Sequence, residues 1–101
     1  MEKVALFGVY DHVTGNCESI GCFSGQSQAG RVLVAMYAYS PNPAISKRLA
    51  DYDLVQISEH FDPILGSDPI KHIFVNYGSL ESIKRVFDNR DGVFTVPAIE
   101  E

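Results

Sequence analysis

Histidine and cysteine are the side chains that could bind a metal ion or supply a nucleophile, and the 101-residue sequence contains three histidines and two cysteines. Zinc sites usually place their ligands at short, regular spacings such as Cys-x-x-Cys. The sequence has neither that motif nor a pair of closely spaced histidines, and no local motif supports a Cys–His nucleophile. We therefore expect no metal ion, no cofactor and no enzymatic activity. The residues concerned are His12, Cys17, Cys22, His60 and His72.

The two cysteines lie on one predicted strand, five positions apart. Successive side chains of a strand point to opposite faces, so this odd separation places Cys17 and Cys22 on opposite faces. A disulfide requires the two side chains to point toward each other. Both cysteines are therefore predicted to be free thiols.

Aromatic side chains beside cations are what single-stranded nucleic acid binding requires, and the sequence contains five tyrosines and eight lysine or arginine residues. The formal charge of −5, with 13 acidic residues against those 8 basic ones, opposes long-range attraction to nucleic acid or to an anionic membrane. Tyrosines in a small domain are also common as half-buried core or interface residues. Composition alone therefore favours a core role over a nucleic-acid role.

The longest apolar run is predicted to form a helix from Ser27 to Ser40, because apolar residues recur at helical spacing and two prolines follow. The opposite side of this helix is small and aromatic rather than charged, so it should also be covered. We expect that side to form an interface in a dimer or larger oligomer; in a monomer, the connector at residues 41–49 would cover it. The predicted core side comprises Ala29, Val32, Leu33, Met36 and Tyr37, and the predicted interface side comprises Arg31, Ala35, Ala38 and Tyr39.

Four segments have the apolar alternation and β-branched content of strands. The turn residues around Gly15 predict a hairpin between the first two segments. The first is apolar on both faces, as in a central strand, and the third is expected to be less buried than the first. The predicted strands are Lys3–Tyr10, Cys17–Phe23, Tyr52–Phe61 and Ile70–Tyr77.

A second helix is predicted after the fourth strand, with Ser79 as its N-cap and with Leu80, Ile83 and Phe87 on its buried side. Residues 93–96 are predicted to form a last edge strand. The order β-β-α-β-β-α, with this additional strand at the end, predicts an α+β fold in which two helices pack on a largely antiparallel sheet of four or five strands. The chain length predicts a single domain over residues 1–101.

No apolar run reaches the ~20 residues that a transmembrane helix needs. The first residues lack the basic and long apolar regions of an export signal. We therefore expect a cytoplasmic protein without a membrane span.

A set of residues between Phe7 and Gly66 resembles, in order and spacing, the small non-structural protein of gokushovirus-type microviruses, which are bacteriophages with a circular single-stranded DNA genome. The family pattern runs approximately F-x-V-Y-D, then a helix with A-x-R, then S-K-x-x-x-D-Y-x-L and I-G-x-F-D-x-x-T-G. The matching residues are Phe7, Val9, Tyr10, Asp11, Phe23, Ala29, Arg31, Pro43, Ser46, Lys47, Asp51, Tyr52, Leu54, Ile57, Phe61, Asp62 and Gly66.

This resemblance implies a non-virion protein that binds single-stranded viral DNA in the host cytoplasm, during genome replication or packaging. On that hypothesis, tyrosines stack on bases and cations hold phosphates. The alternative is a small protein-protein interaction module that acts on a host or phage protein as a homodimer, through the small and aromatic side of the first helix. The DNA-contacting residues expected under the first hypothesis are Tyr10, Arg31, Lys47, Arg48, Tyr52 and Lys71.

Overall fold

The computed structural model describes residues 3–64 and 70–91 of the chain, and these form an antiparallel four-stranded sheet with helices packed on it. The order of strands across the sheet is β2-β1-β3-β4. The predicted α+β fold is therefore confirmed. The elements are β1 (Ala5–Asp11), β2 (Asn16–Phe23), α1 (Gln26–Ala38), the single-turn helix α2 (Pro43–Ser46), a 3-10 turn (Leu49–Asp51), β3 (Tyr52–Ser58), β4 (His72–Ser79) and α3 (Leu80–Asp91).

The predicted hairpin between β1 and β2 forms, but β2 contains one extra residue in its middle. Val9 pairs with Glu18 whereas Phe7 pairs with Gly21, and Ser19 takes a φ of 57° at this bulge. An inserted residue reverses the alternation of the strand beyond it.

This bulge changes the placement of the cysteines. Cys17 pairs with Tyr10 and Cys22 pairs with Leu6, so both cysteines lie on one face of the sheet. The prediction of opposite faces was wrong because simple alternation does not count the bulged residue. Both cysteines are free thiols, as predicted, and both are exposed.

Helix α1 buries its side chains against both the sheet and α3. Leu33 and Val34 are 1% and 0% exposed. Gly30 lies so close to α3 that an added Cβ would be 3.4 Å from Ile83 and 3.5 Å from Phe87. Met36 is 55% exposed, so its predicted place in the core was wrong. The buried arc is rotated toward α3, because α3 covers a side of α1 that the periodicity did not assign to the core.

Strand β3 is the most buried strand of the sheet together with β1, because it lies between β1 and β4. Tyr52, Leu54 and Val55 are all 3% exposed or less. The expectation that this strand is less buried than the first was wrong. The strand contains the polar residues Asp53, Gln56 and Ser58, which suggested an exposed strand, but all three are buried. The strand also ends earlier than predicted, at Ser58.

Helix α3 begins where its predicted cap lies. The Ser79 hydroxyl accepts a hydrogen bond from the Ser82 amide at 3.1 Å, and Leu80 and Phe87 are buried. Both features confirm the sequence prediction for this helix. The predicted strand at residues 93–96 lies outside the described residues.

Candidate binding face of the sheet

The sheet has one face packed against α1 and α3 and one face that these helices leave uncovered. Phe7, Val9 and Leu54 point toward the helices and form the core with Leu33 and Phe87. Strand alternation and pairing place another set of side chains on the opposite side, which we call the open face. The open face comprises Leu6, Gly8, Tyr10, Cys17, Ile20, Cys22, Asp53, Val55, Ile57, Phe74 and Asn76.

Aromatic and aliphatic side chains occupy the middle of the open face. The rings of Tyr10 on β1 and Phe74 on β4 meet edge to face, with centroids 6.3 Å apart. Val55 on the intervening β3 is fully buried, whereas Phe74 is 59% exposed. Ile20 is 51% exposed and lies over Gly8, where an added Cβ would be 3.0 Å from its Cγ1 atom. The face therefore presents apolar surface to solvent around an ordered aromatic pair.

A polar cluster borders the aromatic pair at the end of β1. His12 Nε2 donates to the Asp53 Oδ2 atom at 2.6 Å, and Asn76 Nδ2 donates to the same oxygen at 2.8 Å. The Asn76 side-chain oxygen accepts from the Gly78 amide at 2.7 Å, which fixes the orientation of the amide. The His12 ring stands perpendicular to the Tyr10 ring, with centroids 5.0 Å apart.

Burial distinguishes the members of this cluster. The side chain of Asp53 is 12% exposed, and that of His12 is 52% exposed. A buried carboxylate is stable only when donors compensate its lost hydration, and the two hydrogen bonds provide this compensation. His12 is thus an exposed side chain whose ring is oriented by a hydrogen bond to a buried carboxylate.

Cations lie at the other end of the open face. Strands β1 and β4 run in the same direction because each is antiparallel to β3. Lys3 and Lys71 are both exposed and precede these strands, so they lie at the edge where β3 ends. Asp53 is the one carboxylate among the residues that define the open face, and its Oδ2 atom is hydrogen-bonded to His12 and Asn76. The −5 formal charge is therefore carried largely elsewhere.

The structure separates the residues predicted to contact DNA. Tyr10 belongs to the open face and Lys71 to its edge, whereas the other four lie on the side of the helices. Tyr52 is 3% exposed and packs edge to face on Tyr37, with centroids 4.9 Å apart. Its ring is therefore not available to stack on a base, and this expectation is corrected. Lys47 is exposed and follows α2.

Two of the predicted cations already have partners within the chain. Arg48 Nε donates to the Asp51 carboxylate at 3.1 Å, and its Nη2 lies 3.7 Å from the Asp11 carboxylate. The hydrogen bond to Asp51 raises the pKa of Arg48 above its usual value. Arg31 lies over the ring of Phe87, 4.8 Å from its centroid. These contacts join the connector and α1 to the core instead of presenting free cations.

The predicted interface side of α1 is largely covered from within the chain. Ala35 is 8% exposed, Ala38 packs on the core, and Arg31 contacts α3. Tyr39 is 54% exposed. At Arg31 the covering element is α3, and the connector residues Ile45 and Leu49 also pack against the core. The oligomeric state stays a prediction.

A surface depression of about 240 Å³ lies between α1, α2 and β2. At its base the Tyr37 hydroxyl donates to the Glu18 carboxylate at 2.6 Å and accepts from the Ser19 hydroxyl at 2.8 Å. Burial, together with the hydrogen bond to Glu18, raises the pKa of Tyr37 above its usual value. The lining residues are Glu18, Ser19, Met36, Tyr37, Ser40 and Ile45.

Sequence analysis did not identify most of the open face. His12 was interpreted as a loop histidine and Asp53 as part of a solvated strand edge. The alternation of Phe74 and Asn76 with apolar residues was visible in the sequence, but it did not show which face lacks a helix. Within residues 3–64 and 70–91, no group of three or more histidine, cysteine or acidic side chains is arranged to hold a metal ion.

Comparison of this chain with protein families, with curated proteins and with solved structures found no match. In the described part of the chain, no helix is long and apolar enough to cross a membrane.

Proposed function

We propose that this protein binds single-stranded DNA through the open face of its sheet. The observation that carries the proposal is the aromatic pair of Tyr10 and Phe74, which stands on the face of the sheet opposite α1 and α3. The resemblance to the small non-structural protein of gokushovirus-type microviruses supports the same function. On this proposal the chain is a phage accessory protein that acts on viral DNA in the host cytoplasm.

The chemistry of the open face suits bases better than it suits duplex DNA. Aromatic side chains stack on any base, and each such contact is typically worth about 1–3 kcal/mol. Phe74 has an exposed ring, and the Tyr10 ring on β1 contacts it from the other side of β3. Duplex DNA hides its bases within the stack, so this apolar face would not reach them. The proposal therefore predicts a preference for single strands with little dependence on sequence.

Electrostatics contribute at the ends of the face. Lys3 and Lys71 at one edge and His12 at the other stand on either side of the aromatic pair. A strand of DNA that follows β1 and β4 would meet the two lysines at one end, apolar surface in the middle and His12 at the other end. Each phosphate contact releases counterions from the DNA, so binding should weaken as salt is added.

The test is a fluorescence anisotropy titration with a labelled oligonucleotide of about 20 thymidines, which exceeds the ~4–16 nucleotides that one small domain typically covers. Phe74→Ala should weaken binding about 5- to 150-fold, the loss expected for one stacked base. The matched control is Met36→Ala, since Met36 is 55% exposed and Phe74 is 59% exposed, and Met36 lies on α1 away from the open face. The control should bind like the unaltered protein.

Circular dichroism should show that both variants remain folded, because neither side chain is in the core. Absence of binding to single strands at low salt would refute the proposal. Equal losses in the two variants would also refute it, since the open face would then have no special role.

A second candidate function is protein-protein interaction, with a second copy of the chain as the first partner to test. It is favoured by Met36 and Tyr39, which lie three positions apart on and just after α1 and are both more than half exposed. Neighbouring exposed apolar side chains are typical of interaction sites. Sedimentation of the unaltered protein and of Met36→Ala distinguishes the candidates: a dimer lost in this variant would favour the helix surface.

A further inference from the structure

We propose that His12 is a phosphate-binding residue that engages DNA only when it is protonated, and that Asp53 and Asn76 position it. This inference rests on the proposed function, because the phosphate belongs to the same single strand that stacks on Tyr10 and Phe74. The class of ligand is a phosphodiester, held by a histidine instead of by lysine or arginine.

The orientation of the imidazole ring is fixed by the buried carboxylate. His12 Nε2 donates to Asp53 at 2.6 Å, and Asn76 donates to the same oxygen at 2.8 Å and holds it in place. The partner of one ring nitrogen determines which nitrogen carries the proton. Since Nε2 must be a donor toward a carboxylate, Nδ1 is the nitrogen left for a ligand, on a side chain that is 52% exposed.

Protonation reverses the role of that nitrogen. In the neutral ring with Nε2–H, Nδ1 is only an acceptor. Its lone pair would point at a lone pair of the phosphate oxygen, and the two atoms would repel each other. In the imidazolium form, Nδ1–H is a charged donor, and hydrogen bonds between charged groups are the stronger class. Histidine is the side chain that ordinarily changes charge between about pH 5 and 8. Phosphate binding at this position is therefore expected to be stronger at a lower pH, where more of the imidazolium form is present.

Among the described residues, Asp53 is the charged side chain that contacts the His12 ring. From β1, the Tyr10 ring packs perpendicular to it. From the 3-10 turn, the Asp51 carbonyl accepts the His12 amide at 3.0 Å, while the Asp51 carboxylate is bound by Arg48. From β4, the neutral amide of Asn76 binds the same Asp53 oxygen that accepts from His12.

The position of His12 suits a phosphate next to a stacked base. Its ring centroid is 5.0 Å from that of Tyr10, and Tyr10 in turn contacts Phe74. A nucleotide stacked on this aromatic pair would carry its phosphate toward one end of the pair. His12 stands at that end, on the same face of the sheet.

The experiment measures affinity for the labelled thymidine oligonucleotide at about pH 6 and about pH 8, each over a series of salt concentrations. The unaltered protein should bind about tenfold more tightly at the lower pH, as expected for one hydrogen bond between charged groups. The slope of log affinity against log salt should be steeper there by about 0.7, the value for one additional phosphate contact on a single strand.

Variants assign the effect to this site. His12→Asn should lose the pH dependence, so that its affinity and its salt slope are the same at both pH values. Asp53→Asn should reduce the gain, because the neutral amide stabilises the imidazolium less. His60→Asn and His72→Asn are the matched controls, since they remove the other histidines and should leave the pH difference unchanged.

The outcomes separate this inference from the proposed function. Binding with equal affinity and equal salt slope at both pH values would overturn the role of His12 while the proposed function stands. A pH difference that persists in His12→Asn would do the same. Absence of binding at both pH values would overturn the two proposals together.

Discussion

Replacement of Leu33 by alanine tests which side of α1 faces the core. Leu33 is 1% exposed and contacts the apolar layer between the helix and the sheet. The substitution removes three carbon atoms, and at about 0.8 kcal/mol per buried carbon the transfer contribution is about 2.4 kcal/mol. A residual cavity of ~50 Å³ would add about 1.2 kcal/mol at ~24 cal/mol per Å³. We therefore expect a loss of about 2.5–4 kcal/mol in the free energy of unfolding.

Met36→Ala is the internal control for this prediction. Leu33 and Met36 both fit the apolar periodicity of α1, but Met36 is 55% exposed. Because alanine has the higher helix propensity and little core contact is lost, this variant should change the stability by less than about 1 kcal/mol.

Urea denaturation followed by circular dichroism measures both values. The slope of unfolding free energy against urea should be the same in all three proteins, so that midpoints report stability. Similar losses in the two variants would refute the assigned orientation of α1. A loss of under about 1 kcal/mol for Leu33→Ala would show that this position is not in the core.

Two further predictions concern the hairpin. Gly8→Ala should lower the free energy of unfolding by about 1–3 kcal/mol, because the new Cβ would lie 3.1 Å from the Glu18 carbonyl oxygen, a backbone atom of the bulged strand. A variant whose midpoint temperature of thermal unfolding is equal to or higher than that of the unaltered protein would contradict this prediction. The raised pKa of Tyr37 means that the folded state keeps its phenolic proton after the unfolded state has lost it, so this contribution to stability is complete below about pH 10 and declines as the pH rises above it. Tyr37→Phe should therefore show a shallower loss of stability above about pH 10 than the unaltered protein, and identical alkaline slopes would show that the hydroxyl is not protected.

Short-range features of the fold could be predicted from the sequence. Apolar periodicity and the following prolines located α1, a serine located the start of α3, and turn residues located the hairpin between β1 and β2. These features depend on residues a few positions apart, which interact whether or not the rest of the chain is folded. The α+β class followed from the order of such elements.

The exposed side of the sheet was decided by the tertiary structure alone. His12 and Asp53 are 41 positions apart in the chain, and they meet only because β3 pairs with β1. The bulge at Ser19 placed both cysteines on one face, although alternation predicted opposite faces. Periodicity shows that a segment has an apolar side, but the strand order and the packing of α3 determine whether a partner covers it. The candidate binding face could not be predicted because it is defined by where the two helices do not pack.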